Sequence, residues 1–447
     1  MKRSQGRNSV VLPKFLLALL LPLLWSSNLF ATDGHFLHGA GPVNEAMGGA
    51  DTGLCIDATG SIAWNPACTS HFFGRRFEIH GTFFAAWRSL GSTVNANAFG
   101  PGMPGATLSG TTVSHRNASL MPGMAFIYHP KDSATAYHIA MLAVSGFGVE
   151  YDQNTDFSNP ILTPQAPNGF GFGKIKSNYA LLTVPVGISR QVNKRLSAGI
   201  SAAPAFSMLK VIPAPFAAPV TAGSIMPYYL SASTSAPALG FGVQAGLQYQ
   251  ANSVFGVGIA YHSPIWFREF SWKATDLAGG KHTLKFQMNL PQVVSTGVGI
   301  TPSSRTHIGL DARWFNYENT AGFDEVGYDP DDSVAGFGWK NIWAVGGGVQ
   351  QQVASSTKIM VGYNYSGNPV PPKYSFFNTP APAIVQQHLS GGIVQTIHGW
   401  DVIATYYHAF QNSITGPWIS GQGPIPGTSV TSKMSENSLT IGLAKSF

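Results

Sequence analysis

Charge is what this sequence has least of. Lys, Arg, Asp and Glu together make up 10% of its 447 residues, against about a quarter in an ordinary soluble domain. The shortfall is filled by glycine, with 51 residues, and by Ser, Thr, Asn and Gln rather than by apolar side chains. A chain of this kind suits a wall that faces lipid on one side and water on the other. The formal charge of +6 is also misleading: Lys2, Arg3, Arg7 and Lys14 stand at the N-terminus, and without those four, 22 basic residues face 20 acidic ones. No basic run or stripe remains, which argues against a nucleic-acid partner.

Long apolar runs are missing too, with one exception. Phe15 to Trp25 (FLLALLLPLLW) follows the basic N-terminus and reads with it as a secretory signal over residues 1–31, cleaved after Ala31. Its apolar core is about half of the roughly 20 residues that a membrane helix needs, and no later run reaches that length. A membrane location therefore requires a barrel. Enzyme signatures are absent: there is no His-Glu-x-x-His, no Gly-x-Ser-x-Gly and no Walker loop. Gly169-Phe170-Gly171-Phe172-Gly173 looks like a phosphate loop but opens no helix. Neither catalysis, a cofactor nor a metal site is expected. Cysteine is nearly absent, with two residues, Cys55 and Cys68. In an exported chain such a pair reads as a disulfide worth about 3 kcal/mol on the chain-entropy account, with two buried thiols as the alternative.

What the sequence does contain is alternation of period two. Phe241, Val243, Ala245, Leu247 and Tyr249 interleave with glycines and glutamines. Phe255, Val257, Ile259 and Tyr261 interleave with Gly256, Gly258, Ala260 and His262, and Leu439, Ile441 and Leu443 with Ser438, Thr440 and Gly442. Short turns (130–132, 193–195, 251–253, 302–304, 355–357, 398–400) alternate with long loops (91–116, 150–177, 211–237, 273–283, 320–338, 369–385, 415–434). Together they delimit fourteen strands with both ends of the sheet on the periplasmic side. The fold class is all-β, a transmembrane antiparallel barrel. Ahead of it, Asp33 to Ala67 is Gly- and Ala-rich and only weakly periodic: either a disordered leader or a segment packed inside the barrel.

That segment, closing on Asn65-Pro66-Ala67, resembles the plug of the outer-membrane hydrophobic-compound transporters (the FadL/TodX family). These are the long-chain fatty acid transporters and their toluene- and xylene-uptake relatives. The resemblance spans plug, fourteen strands, a glycine-rich break in the third strand and a terminal Phe447. Lys445 departs from the usual apolar residue near the end. The domains it implies are a signal (1–31), a plug or hatch inside the lumen (32–70) and a barrel (71–447). It further implies a monomer in the outer membrane among lipid and lipopolysaccharide, with Phe447 read by the barrel-assembly machinery. Its ligand would be a hydrophobic small molecule, a fatty acid or an aromatic hydrocarbon, captured by outer loops, held at the plug and released sideways at a kink. Here the kink falls at Ser145-Gly146-Phe147-Gly148, unless those glycines only continue a glycine-rich inner face.

Three further groups are candidates. Phe216, Ile225, Met226, Tyr228, Tyr229 and Leu230 make loop 211–237 too apolar for an ordinary exposed loop. They form either a ligand-capture groove or a cap packed on the barrel mouth. A second apolar, Pro-rich loop, Val370 to Val385, would share that rim. His307, Asp311 and Arg313 share the lumenal face of one strand, as a network tying plug to wall or as partners of a carboxylate ligand. Asp324, Glu325, Asp329, Asp331 and Asp332 read as a solvated tip, with contact to a divalent cation or lipopolysaccharide as the alternative; their spacing is not that of an EF-hand loop. A general porin for polar solutes is the alternative reading, and an outer-membrane enzyme or adhesin a more distant one.

Overall fold

A computed structural model describes residues 33–116 and 118–447; the expected signal lies outside them. The sheet closes on itself as a barrel of fourteen antiparallel strands, three of them interrupted. In chain order the wall runs Gly74–Val94, then Leu108–Val113 continued by Ala118–His129, then Thr135–Tyr151. The fourth strand is Ile175–Thr183 with Val186–Gln191, the fifth Leu196–Ile212, the sixth Ala236–Gln250, and the seventh Phe255–His262 with Trp266–Phe267. Val293–Ser303, Thr306–Phe315, Ile342–Ala354, Thr357–Ser366, Gln387–Ile397, Trp400–Gly416 and Thr428–Ser446 complete it. The last strand pairs with the first from Arg76–Ser446 to Val94–Thr428 and closes the cylinder. Among the described residues no helix is long and apolar enough to cross a membrane, which says nothing of a barrel.

The alternation now has two addresses. Phe255, Val257, Ile259 and Tyr261 are exposed on the outside, as are Leu439, Ile441 and Leu443. Similar outward residues on the other strands form a belt around the cylinder, the surface that a hydrocarbon layer would cover. The inward positions are small or polar because the N-terminal segment occupies the bore. Residues 33–72 lie inside it and are almost wholly buried; two short helices, α1 (Pro42–Ala46) and α2 (Ala58–Trp64), are followed by a 3-10 turn at Pro66–His71. Plug and wall meet backbone to backbone. A Cβ at Gly258 would collide with the Thr52 carbonyl, and one at Gly346 with the Gly48 carbonyl.

Two details refine the expected layout. The stretch 273–283 is the tip of a hairpin, Phe270–Thr275 with Lys281–Phe286, that extends beyond the seventh strand. Its inner residues Phe270, Trp272, Leu284 and Phe286 are buried, and Trp272 Nε1 donates to the Leu209 carbonyl at 2.8 Å. Asn65-Pro66-Ala67 lies deeper than the join between plug and wall, which comes only at Gly74. Asn65 Nδ2 donates to the Thr52 carbonyl at 2.7 Å and to Leu247 of the sixth strand at 3.1 Å.

Candidate functional site

The third strand breaks its ladder in the middle. Its lower half pairs with the second strand from Tyr137–Tyr128 up to Leu142–Gly123 and no further. On its other side the register with the fourth strand shifts between Ala143 and Ser145, leaving Val144 as the extra residue of a bulge. Higher up, His115 N donates to the Glu150 carbonyl at 2.9 Å and brings the two strands together again. Between those points the second strand leaves the third, and the plug's first residues take the vacated edge. Leu37 N donates to the Val144 carbonyl at 3.2 Å, Gly146 N to the His35 carbonyl at 3.1 Å, and Phe36 bridges Ser145. Ser145 Oγ also donates to His35 O at 2.9 Å. Ser145, Gly146, Phe147 and Gly148 thus lie just beyond the bulge, with Ser145 and Gly146 on the plug and Phe147 stacked on Tyr179 at 5.0 Å. A bulge re-aims a strand and ends pairing, and both effects are visible here.

Behind this point lies a cavity of about 60 Å³ lined by Phe36, Leu37, Trp64, Leu142, Val144 and His262, among others. A dry cavity of about 150 Å³ is enough to bind benzene, so a ring-sized ligand enters here only if the plug or its neighbours move.

The rest of the plug is held by buried polar groups on the wall. The Asp311 carboxylate accepts from Asp51 N (3.0 Å), Thr52 N (2.9 Å) and Thr52 Oγ1 (2.7 Å). Arg313, two residues on and on the same face, donates from Nη1 to the His38 carbonyl at 3.0 Å and from Nη2 to the Gly49 carbonyl. It also meets Asp311 at 3.3 Å and lies 3.6 Å over the Trp64 ring. Both Nη groups are therefore engaged by the plug. His307 shares the strand and face but sits lower and outside this network, where its Nδ1 meets Thr301 Oγ1 at 3.4 Å. Glu78 accepts from Ala58 N and Thr59 N at 3.0 and 2.9 Å, close to the start of α2, where a carboxylate also meets the helix dipole favourably. Burial pushes the Glu45 carboxyl of the plug up to about 8, and it accepts from Thr440 Oγ1 at 2.6 Å and Thr82 Oγ1 at 3.4 Å.

Cys55 and Cys68 are joined as a disulfide that encloses α2. Maleimide added to denatured, unreduced protein should find no thiol, and two after reduction; two adducts without reductant would show that the bridge does not form.

At the outer mouth lies a cleft of about 550 Å³ walled largely by rings: Phe99, Phe170, Phe172, Tyr228, Tyr229 and Trp418 are among its residues. Phe376 joins it, 5.2 Å from Phe172 and 5.7 Å from Trp418 between centroids. Of the six loop residues singled out from the sequence, Tyr228 and Tyr229 line this cleft. Leu230 is buried below it, Phe216 stacks on Phe286 at 4.0 Å, Met226 is exposed and Ile225 is 89% exposed at the tip. Two of the six thus line a cleft, and two pack inward at the barrel mouth. Phe170 and Phe172, from the glycine-rich pentapeptide, are cleft walls. In the acidic loop, Asp332 lines the cleft and its carbonyl accepts from the Tyr229 hydroxyl at 2.8 Å. Below the cleft, rings continue inward through Phe216, Phe337 and Phe323 to His35 of the plug, with centroid spacings of 5.2, 5.6 and 4.9 Å.

The fold as a whole has counterparts among solved structures. The toluene transporter TodX of Pseudomonas putida aligns over 93% of this chain and 100% of its own, at 15% identity and a TM-score of 0.66. A Pseudomonas aeruginosa FadL homologue aligns over 93% and 100%, at 13% identity and a TM-score of 0.70. The chain has the FadL-type transporter fold. The Ralstonia pickettii toluene transporter TbuX shares this fold as well, over 92% and 99% of the two chains at 17% identity and a TM-score of 0.64. No protein-family model matches the sequence, and no curated protein matches it either.

Proposed function

We propose that this chain is an outer-membrane channel for hydrophobic small molecules, long-chain fatty acids or aromatic hydrocarbons, which cross it without an energy source. The observation that carries this reading is the place where the second strand leaves the third and the plug's Asp33–Leu37 stretch covers the exposed edge. In this reading ligand partitions from water into the aromatic cleft, moves inward as rings give way, and reaches the plug. When His35 to Leu37 leave the third strand, the ligand exits through the wall into the surrounding lipid. Apolar groups drive capture by about 25 cal/mol per Å² removed from water. Release needs no charged constriction, only a site that binds weakly enough to empty. The toluene transporters and FadL homologue that share the fold support the reading in kind.

The test is uptake of a labelled fatty acid and a labelled aromatic hydrocarbon by cells with and without the protein, beside sugar permeation in liposomes. Hydrophobic uptake should depend on the protein and sugar flux should stay low. Fast sugar flux with unchanged hydrophobic uptake would favour a general porin instead. In the same assay Trp418→Ala, which removes a cleft wall, should lower uptake several-fold at limiting ligand and much less at saturating ligand. An equal loss at both concentrations would place Trp418 outside capture.

A further inference from the structure

The proposed transport path touches only the inner face of the hairpin above the seventh strand. Phe270, Trp272, Leu284 and Phe286 pack into the core of the barrel mouth, and the residues between them are exposed on the outer face. There Lys273 pairs with Thr283, while Lys281 and Lys285 stand opposite Thr275 and Ser271, one diagonal step to either side of it. Diagonal neighbours on one face of a hairpin are within reach of long side chains, so three ammonium groups share one small surface. Arg268 is exposed at the base, its backbone N donating to the Leu239 carbonyl of the sixth strand at 2.9 Å. Lys210 of the fifth strand reaches the Ser233 carbonyl at 3.3 Å, and Ser233 Oγ donates in turn to the Lys273 carbonyl at 2.7 Å. From Leu196 to Leu290 these five are the only Lys and Arg residues, and they face two acids. Glu269 is exposed and holds Lys285 at 2.8 Å. The Asp276 side chain is buried in the hairpin turn, where it accepts from Ala278 N and Gly280 N and meets His282. Lys174 and Lys176, by contrast, are closed off by Glu150 and Asp152.

Directly beneath these cations the outward belt ends. Phe206, Leu239 and Trp266 are exposed at its upper edge, on the fifth, sixth and seventh strands. The aromatic edge of such a belt lies at the level of lipid head groups, so the cations stand among the head groups of the outer leaflet. They are also held in place: the hairpin is paired from Phe270–Phe286 to Thr275–Lys281, and Leu277 N at its tip donates to the Tyr228 hydroxyl at 2.8 Å. We propose that the outer face of this hairpin is a docking surface for one lipopolysaccharide molecule. Lys273, Lys281 and Lys285 take the phosphates of its sugar head, while its acyl chains lie against Phe206, Leu239 and Trp266. Charge complementarity selects this occupant: a head group with several phosphates can meet all three lysines, and a phospholipid with one cannot. The proposal rests on the outer-membrane location in the transport reading and not on the cargo.

The experiment measures binding to lipid-free, full-length protein in non-ionic detergent by microscale thermophoresis. The probes are a short-sugar lipopolysaccharide, the same lipid after enzymatic dephosphorylation, and phosphatidylglycerol. The phosphorylated lipid should bind roughly tenfold or more tighter than either of the others, since several charge-assisted bonds are at stake. Replacing Lys273, Lys281 and Lys285 together by Gln should weaken its binding by roughly a hundredfold, about fivefold for each lysine near an anionic lipid surface. That variant should also no longer distinguish the phosphorylated from the dephosphorylated lipid. A charge-matched control, Lys340, Lys373 and Lys433 to Gln, should bind like the parent protein. All six lysines are exposed, and heat-modifiable gel mobility checks that each variant is folded. Equal binding of the three lipids by the parent, undiminished binding by the hairpin variant, or an equal loss in the control would overturn the docking surface. So would displacement of the lipid by inorganic phosphate beyond that by chloride at equal ionic strength, which would mark a site for free phosphate. Uptake of hydrophobic ligand is measured separately, so the transport reading stands or falls on its own result.

Discussion

Asp311→Ala will unseat the plug and turn a quiet barrel into a leaky one. The carboxylate removed is the acceptor for three donors of Asp51 and Thr52 and the partner of Arg313. Breaking a buried pair by removing one member costs about 3–5 kcal/mol, because the other charge stays buried without its partner. Spent on docking alone, that shifts the balance between seated and unseated plug by about a hundredfold or more. The barrel itself should survive, since its ladder is main chain. Arg313→Leu should act in the same direction, through the lost bonds to His38 and Gly49. Removing both charges together should do less harm than the two single effects summed, as residues in one network are not additive. Single-channel conductance in planar bilayers reads all three. Single variants that conduct like the parent protein would show that this pair is not what holds the plug.

Deleting Val144 will close the wall and abolish hydrophobic uptake. Val144 is the one residue by which the third strand outruns the fourth, and without it Ala143 and Ser145 fall into continuous register. The strand then has no reason to leave its neighbour above Leu142, and the edge held by Leu37 and His35 is lost to the plug. Ala143 already pairs with Leu182 and Ser145 with Leu181, so Phe147 keeps its inward partner Tyr179 and only the bulge is lost. Uptake should drop to the level of cells lacking the protein, while Val144→Ala, which keeps the extra residue, should behave like the parent. Normal uptake by a folded deletion variant would exclude this part of the wall as the exit.

The wall was legible in the sequence because each strand has two unlike faces. The series Phe255, Val257, Ile259, Tyr261 against Gly256, Gly258, Ala260, His262 is a direct record of outside and inside, and turn residues supplied the count. Asp311 and Arg313 could be placed together because residues two apart on a strand share a face. What a strand-by-strand reading could not supply is which partner waits across the bore: that Asp311 holds Asp51 and Thr52 depends on contacts some 260 positions apart. The loops were hidden for the same reason. Composition marked 211–237 as apolar, but packing among distant loops decides that Tyr229 lines the cleft while Leu230 is buried. The hairpin at Phe270–Phe286 is hidden in a stretch that reads as a loop, although Phe270, Trp272 and Ala274 alternate there.

The contact of glycine with plug backbone has a consequence for how the molecule is made. Gly258 and Gly346 lie so close to Thr52 and Gly48 that the plug fits as a key fits a finished lock. Yet it is synthesised first, and the seam from Arg76–Ser446 to Val94–Thr428 joins the two ends of the wall. Pairing across such sequence separation is slow, so the sheet stays open late in biogenesis, with time for the plug to be enclosed as the cylinder curls around it. Residues 33–72 then serve as a mandrel that sets the bore, and side chains added at those glycines would be felt first as a failure to mature.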